Sequence, residues 1–264
     1  MKKQKLKTAV KFVSIGLIIL LALSFIIGYI WKILASSDYF LVKNIFIRGS
    51  DTADLSYLKG KNIFSLDLEK ESGYILDNYP EYRRINLAKV LPDRIFADFN
   101  RRKPCAYIKL YKYFTVDSQG VIFSPSNQGR PQESELNLPV ITGLETRLFG
   151  PKPGKKYNIK ELSFALSLIN EISRNSVLKN FRIKKIDVAN LASSSVSLEL
   201  NPAEVLELRL GNLNIREKIL IVADLLIQES QELGNIRYID LRFKQPVIKF
   251  KELKPKVKAK SNRL

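Results

Sequence analysis

Between Phe12 and Trp31 the chain carries no charged residue, and this uninterrupted apolar run constrains the whole of the chain beyond it. A helix of about 20 residues is about 30 Å long, which matches the hydrocarbon core of a bilayer. Phe12 and Trp31 mark the ends of the anchor. Tyr29 and Trp31 place amphipathic aromatics at its far end, where such rings favour the lipid–water boundary. Lys2, Lys3, Lys5, Lys7 and Lys11 precede the run with no acid among them, and lysines beside a span stay on the cytoplasmic side. The sequence therefore predicts a basic cytoplasmic tail over 1–11 and a transmembrane helix over 12–33. The rest of the chain is expected beyond the cytoplasmic (inner) membrane, in a single-pass topology with the bulk periplasmic or extracytoplasmic. A cleaved signal peptide is the rival reading. The apolar core of a secretory signal spans about 7–15 residues, however. This run is longer, and Lys32 separates it from the small residues Ala35, Ser36 and Ser37.

The chain has 264 residues, so the part beyond the anchor suffices for one large domain or two modest ones. The net charge of +18 is concentrated in part at the two ends, and a basic tail over 254–264 is expected to be disordered. A basic balance often means nucleic acid, but the compartment argues against it. Anionic lipid, an acidic wall polymer or an acidic protein is the better match. The single cysteine, Cys105, forbids an internal disulfide. There is no histidine, so Ser-His-Asp and Cys-His chemistry is excluded and a zinc or copper site is not expected. Cys105 lies between Pro104 and Ala106 and reads as an inert, buried thiol. The segment from Gly150 to Lys156 resembles a phosphate loop only in part: it is one residue short between its glycines and lacks the Ser or Thr after the lysine. Among Asp54, Asp67, Asp93, Asp117 and Asp240 nothing singles out a hydrolytic pair. No cofactor, no metal and no small-molecule substrate are expected, and the chain does not read as an enzyme.

Beyond a short polar joint at Ala35–Asp38, residues 41–48 read as a strand. Gly49 breaks it, and Ser50, Asp51 or Thr52 is placed to cap a short helix through Leu58. Asp67 is placed to cap a second helix through Tyr79. Strands are expected over 83–90 and 94–102, joined by the turn Leu91-Pro92-Asp93. In the second of these, Ile95, Ala97 and Phe99 alternate with polar neighbours, as in a half-buried strand. Strands at 111–116 and 121–124 flank Asp117-Ser118-Gln119-Gly120, a hairpin signal. Residues 125–137 read as a loop. A helix carries Leu162, Ala165, Leu166, Ile169 and Ile172 at helical spacing. Strands come next at 183–188, 195–200 and 205–210, then a helix over 215–233, then strands at 236–243 and 246–250.

This order is similar to that of the FtsQ/DivIB family of bacterial cell-division proteins. Phe40 to Gly49 resembles the opening strand of the family's POTRA module, and Gly60 to Asp67 its inter-helix loop. Leu91-Pro92-Asp93-Arg94-Ile95, followed by Arg101 to Ala106, resembles its hairpin and exit strand. Val116 to Phe123, Leu138 to Gly143 and Ile239 to Phe243 resemble landmarks of the second, β-rich domain. The resemblance covers residues 1 to about 253, and the order and spacing of these motifs carry it. It implies an α+β architecture: one N-terminal transmembrane helix, a POTRA domain (β-α-α-β-β) over 40–104 and a larger β-rich domain with two helices over 105–253.

The function that the resemblance implies is scaffolding in the divisome at the septum. Family members bind two coiled-coil membrane proteins, FtsB and FtsL, and the FtsB-type partner adds a strand to the last strand of the β domain. Here that edge is Pro246 to Lys251, with Val247 and Lys249 facing one way and Ile248 and Phe250 the other. Arg242 matches a family arginine implicated in the contact, where it could pair with a partner carboxylate. Phe243 stands where a tyrosine is frequent. Other division proteins are further expected partners. Two other classes remain open on the residues alone: another membrane-anchored POTRA or wall-associated binding protein, and a wall enzyme.

Overall fold

The computed structural model describes residues 2–123, 138–202, 204–229 and 233–251, with side chains from Ile15 onward. The loop expected at 125–137 and the tail beyond 253 lie outside the described residues, as does the side chain of Phe12. The chain forms two compact units that divide between Arg101 and Arg102.

The first unit begins with α1 (Lys2–Ser36). Its segment Ile15–Ser36 is long and apolar enough to cross a membrane. Beyond it lies a three-stranded sheet, built from β1 (Asn44–Arg48), β2 (Tyr82–Val90) and β3 (Arg94–Arg101) in the order β1-β3-β2. β1 pairs with β3 in parallel, and β2 with β3 antiparallel. The turn Leu91-Pro92-Asp93 joins β2 to β3 as expected. One face of the sheet is covered by α2 (Leu68–Asn78). Asp67 caps this helix by accepting from the N–H groups of Glu69 and Lys70, and Ile75 is its buried residue. Ile95, Ala97 and Phe99 all point into this core, as their alternation predicts.

The first of the two expected helices is not an α-helix. Only a 3-10 turn forms there, Ser56–Leu58. Ser50 Oγ accepts from the N–H of Thr52 and of Ala53, Asp54 Oδ1 accepts from Ser56 N–H, and Asp54 N–H donates to the Tyr79 hydroxyl. These side-chain bonds take up the donors that an α-helix would use, so the chain turns instead of coiling. The order found is therefore strand, 3-10 turn, helix, strand, strand.

The second unit is a nine-stranded mixed sheet with two helices. The strands are β4 (Pro104–Lys109), β5 (Tyr113–Asp117), β6 (Ile122–Phe123), β7 (Val140–Thr142), β8 (Arg182–Asp187), β9 (Ser195–Asn201), β10 (Glu204–Arg209), β11 (Ile236–Asp240) and β12 (Val247–Phe250). Their spatial order is β12-β11-β10-β9-β8-β7-β4-β5-β6. The register aligns Ile108, Ile141, Ile186, Val196, Leu208, Ile239 and Ile248 in one row across the sheet. That row packs against α3 (Lys160–Arg174) and α4 (Ile215–Gln228), through Leu162, Ala165, Leu168 and Ile172 of α3 and Ile219, Val222 and Leu226 of α4. The adjacent row is Tyr107, Val140, Lys185, Ser197, Glu207, Tyr238 and Lys249. Its residues are half-buried or exposed, as on the solvated face of a sheet covered on one side only.

Several boundaries differ from expectation: β1 begins at Asn44 rather than 41, and β4 (Pro104–Lys109) falls where no separate strand was expected. The strand Val140–Thr142 falls in a stretch where sequence alone suggested none. α4 ends at Gln228 rather than near 233. β11 ends at Asp240, so Arg242 and Phe243 stand in the turn after the strand and not within it. The Asp240 carboxylate accepts from Arg242 N–H at 3.1 Å, an Asx-type bond that turns the chain out of the ladder.

Candidate functional site

β12 is the terminal strand of the sheet, and no described strand pairs with its outer side. It lies antiparallel to β11, with Val247 opposite Asp240, Ile248 opposite Ile239 and Lys249 opposite Tyr238. Lys251 N–H donates to the Asn235 carbonyl at 2.7 Å. Antiparallel alternation then turns the backbone groups of Val247 and Lys249 toward β11 as well. Those of Ile248 and Phe250 are left on the open edge. The side chains split as the sequence suggests. Ile248 packs on the core, while Val247 and Lys249 lie on the solvated face. Phe243, Val247 and Phe250 are all exposed, at 63%, 47% and 44%, so the edge carries an apolar surface beside its free backbone groups.

Arg242 is engaged within the chain. Its Nη2 lies 2.6 Å from Asp240 Oδ2 and its Nε 2.9 Å from Asp240 Oδ1, a two-pronged pair. Asp240 is 3% exposed. The Arg242 hydrogen bond, reinforced by the bond from its backbone N–H, holds the Asp240 carboxyl below the usual carboxylate range. This contribution to stability is fully present above the unfolded carboxylate value of about 4 and is lost as pH falls through the lower folded value. Asp240→Asn should therefore be less stable than the parent at neutral pH, yet lose less stability on acidification. Urea titrations at a series of pH values check it, and parallel curves for the two proteins would refute it. The same pair means that Arg242→Glu would set a second carboxylate against Asp240, so a binding loss in that variant would not by itself locate a partner.

Two residues that sequence reasoning missed pack together near this edge. The Arg209 guanidinium lies 3.9 Å from the ring centre of Tyr238, and Arg209 Nε is 3.0 Å from Glu207 Oε1. Tyr238 lies on the solvated face of β11, beside Lys249 of β12, and Arg209 on that of β10, one strand further in. The only signal for them was strand alternation combined with the β10–β11 register, and the register is not readable from one strand.

Elsewhere the solvated face holds a shallow hollow of about 690 Å³ between β4 and β10, lined by Lys109, Lys184, Lys185, Ser197, Glu199 and Val205 among others. Two of its cations are paired: Arg182 with Glu199 at 3.4 Å and Lys185 with Asp187 at 3.3 Å. Cys105 is half-buried, and burial, then the Asp117 charge, push its thiol up to about 12, so no thiolate forms near neutrality. Arg94 lies 3.6 Å from the neighbouring Asp93, while Arg101 stacks over the Tyr82 ring.

The family model described as "Cell division protein FtsQ/DivIB, C-terminal" matches residues 106–242. The chain belongs to the FtsQ/DivIB family. The match runs from within β4 to the turn after β11, so β12 lies just beyond it. Curated relatives agree along the chain's length. The cell division protein FtsQ of Syntrophotalea carbinolica is 24% identical over 242 residues, 89% of this chain and 80% of the relative. That of Geotalea daltonii is 23% identical over 230 residues, 84% and 80% respectively. That of an Anaeromyxobacter strain is 26% identical over 196 residues, 72% of this chain and 63% of the relative. This FtsQ/DivIB chain is thus a cell-division protein with an N-terminal apolar helix suited to a membrane anchor.

Proposed function

We propose that the chain is a non-catalytic, single-pass scaffold of the divisome at the septum. In this reading α1 crosses the cytoplasmic membrane with its N-terminus inside, and residues 40–104 form a POTRA domain. The second unit captures an FtsB-type coiled-coil partner, with FtsL and other division proteins in the same assembly. One observation carries the reading: among the described residues β12 ends the sheet, and the backbone groups of Ile248 and Phe250 face its outer edge. An extended segment can add there, its main chain supplying affinity and side chains such as Phe243, Val247, Lys249 and Phe250 supplying specificity. Arg242 contributes by holding the turn that presents Phe243, and its half-exposed guanidinium remains available to a partner carboxylate.

Phe250→Pro tests this directly. The Phe250 N–H faces the open edge, so proline removes a donor to an added strand and leaves the β11–β12 ladder intact. Affinity for a purified FtsB-type partner should fall at least tenfold while thermal unfolding stays near the parent's. Unchanged affinity would move the partner site off β12. A fluorescent fusion on the N-terminus should also form a band at mid-cell.

A further inference from the structure

The junction between α1 and the rest of the first unit is docked, although its sequence reads as a short polar joint. Asn62 is buried, at 8% exposure. Its Nδ2 donates to the carbonyls of Leu34 at 3.0 Å and Ser37 at 3.1 Å, taking up acceptors that the end of a helix leaves open. Its Oδ1 accepts from Phe64 N–H at 2.9 Å. The Phe64 ring stands edge-on to Trp31 at 5.8 Å and to Phe40 at 4.9 Å. Three backbone bonds clamp the segment after the helix to the same loop: Val42 N–H to Lys61 O, Gly60 N–H to Val42 O and Ile63 N–H to Phe40 O, each 2.9 Å. The helix end and the loop 60–64 therefore move as one piece.

Trp31 sets the depth of that piece. Leu34 and Ser37 lie three and six residues past it, roughly 4.5 and 9 Å further along the axis at 1.5 Å per residue. The headgroup layer on each side of a bilayer is about 5–8 Å thick. With Trp31 at the boundary, the Asn62 contacts fall within or just above the headgroups. The side chains around them suit that layer: Tyr39 is 64% exposed, Tyr57 is exposed, and Lys32, Lys59 and Lys61 are exposed cations. Asp38 and Glu71 partly offset this charge, Glu71 pairing with Lys61 at 3.2 Å.

We infer that the part of the first unit beyond α1 is seated on the phospholipid headgroups at the outer face of the membrane that α1 crosses, held there by Asn62 and Phe64 docking the end of α1. This rests on the reading of α1 as a membrane span. The test uses the full chain with Cys105→Ser, in nanodiscs of phosphatidylethanolamine and phosphatidylglycerol, spin-labelled at Tyr39→Cys or Lys32→Cys. Collision with oxygen, which enters lipid, is compared with collision with a water-soluble nickel chelate. The expected oxygen-to-nickel ratio at position 39 is close to that at 32 and several-fold above an aqueous value. An aqueous ratio at 39 with an interfacial one at 32 overturns the seat. Aqueous ratios at both positions overturn the membrane span itself. Asn62→Ala should narrow the lines at position 39 and move its ratio toward water, and Trp31→Leu should do the same to a smaller degree. Unchanged spectra in both variants overturn the docking.

Discussion

Gly143→Ala should lower the stability of the second unit by about 4 kcal/mol or more, the range reserved for severe core or backbone lesions. Gly143 lies just after β7 with φ +89°, where an L-residue costs about 1–2 kcal/mol on conformation alone. The larger part is a collision. A Cβ here would stand 2.2 Å from Ala189 N and 2.5 Å from Ala189 Cα. Those are backbone atoms at the exit of β8, and Val188 N–H already holds Thr142 O at 3.0 Å. Relief requires prying β7 from β8 in the middle of the sheet. Gly60 provides the control, since its φ is +79° but nothing lies within 4 Å of an added Cβ. Gly60→Ala should cost only the conformational part. Urea midpoints of the two variants measure the contrast, and a Gly143→Ala loss no larger than that of Gly60→Ala would refute the collision.

Asp117→Ala should cost about 3–5 kcal/mol, the usual penalty for breaking a buried ion pair by removing one partner. Asp117 does two jobs with its two oxygens. Oδ2 lies 2.9 Å from Arg102 Nη1, with the side chains only 7% and 12% exposed. Oδ1 accepts from Gln119 N–H at 2.9 Å and Val121 N–H at 3.0 Å, closing the β5–β6 turn. Alanine removes both, taking the Oδ2 acceptor from Arg102 and the Oδ1 acceptor from the turn. Asp117→Asn keeps an oxygen for the turn and loses only the pair, so its loss should be smaller. Thermal unfolding of the two variants reads the difference, and equal losses would show that the turn bonds contribute nothing.

What the sequence made legible was local. The Asp67 cap, the Leu91-Pro92-Asp93 turn and the buried alternation of Ile95, Ala97 and Phe99 depend on neighbours within a few residues, and the structure reproduces them. What it hid depended on distant partners. Val140–Thr142 is too short to show periodicity, and it becomes a strand only because β4 and β8 flank it in parallel. Residues 52–58 carry helix-start residues, but the hydroxyl of Tyr79 and the side chains of Ser50 and Asp54 redirect the backbone. At the candidate site, the split of Val247 and Lys249 from Ile248 and Phe250 was readable from alternation. The Asp240–Arg242 clamp was not, because the sequence suggested a strand continuing to Phe243, and in a strand the two side chains would not close into a turn. The docking of Asn62 on α1 joins residues 25 and 28 positions apart and left no periodic trace.

From β7 onward each strand of the large sheet adds directly to the one before it, β8 on β7 through β12 on β11. Such a sheet can be assembled in the order in which its strands arrive, by antiparallel pairing of neighbours at β8–β9, β9–β10 and β11–β12 and by helix-bearing crossovers at β7–β8 and β10–β11. Every step in that series presents the newest strand as the template for the next. β12 ends the series without closing it. On the proposed reading, a visiting segment at β12 repeats the step by which the domain built itself, so recognition is one more round of folding, with the final strand supplied by another chain.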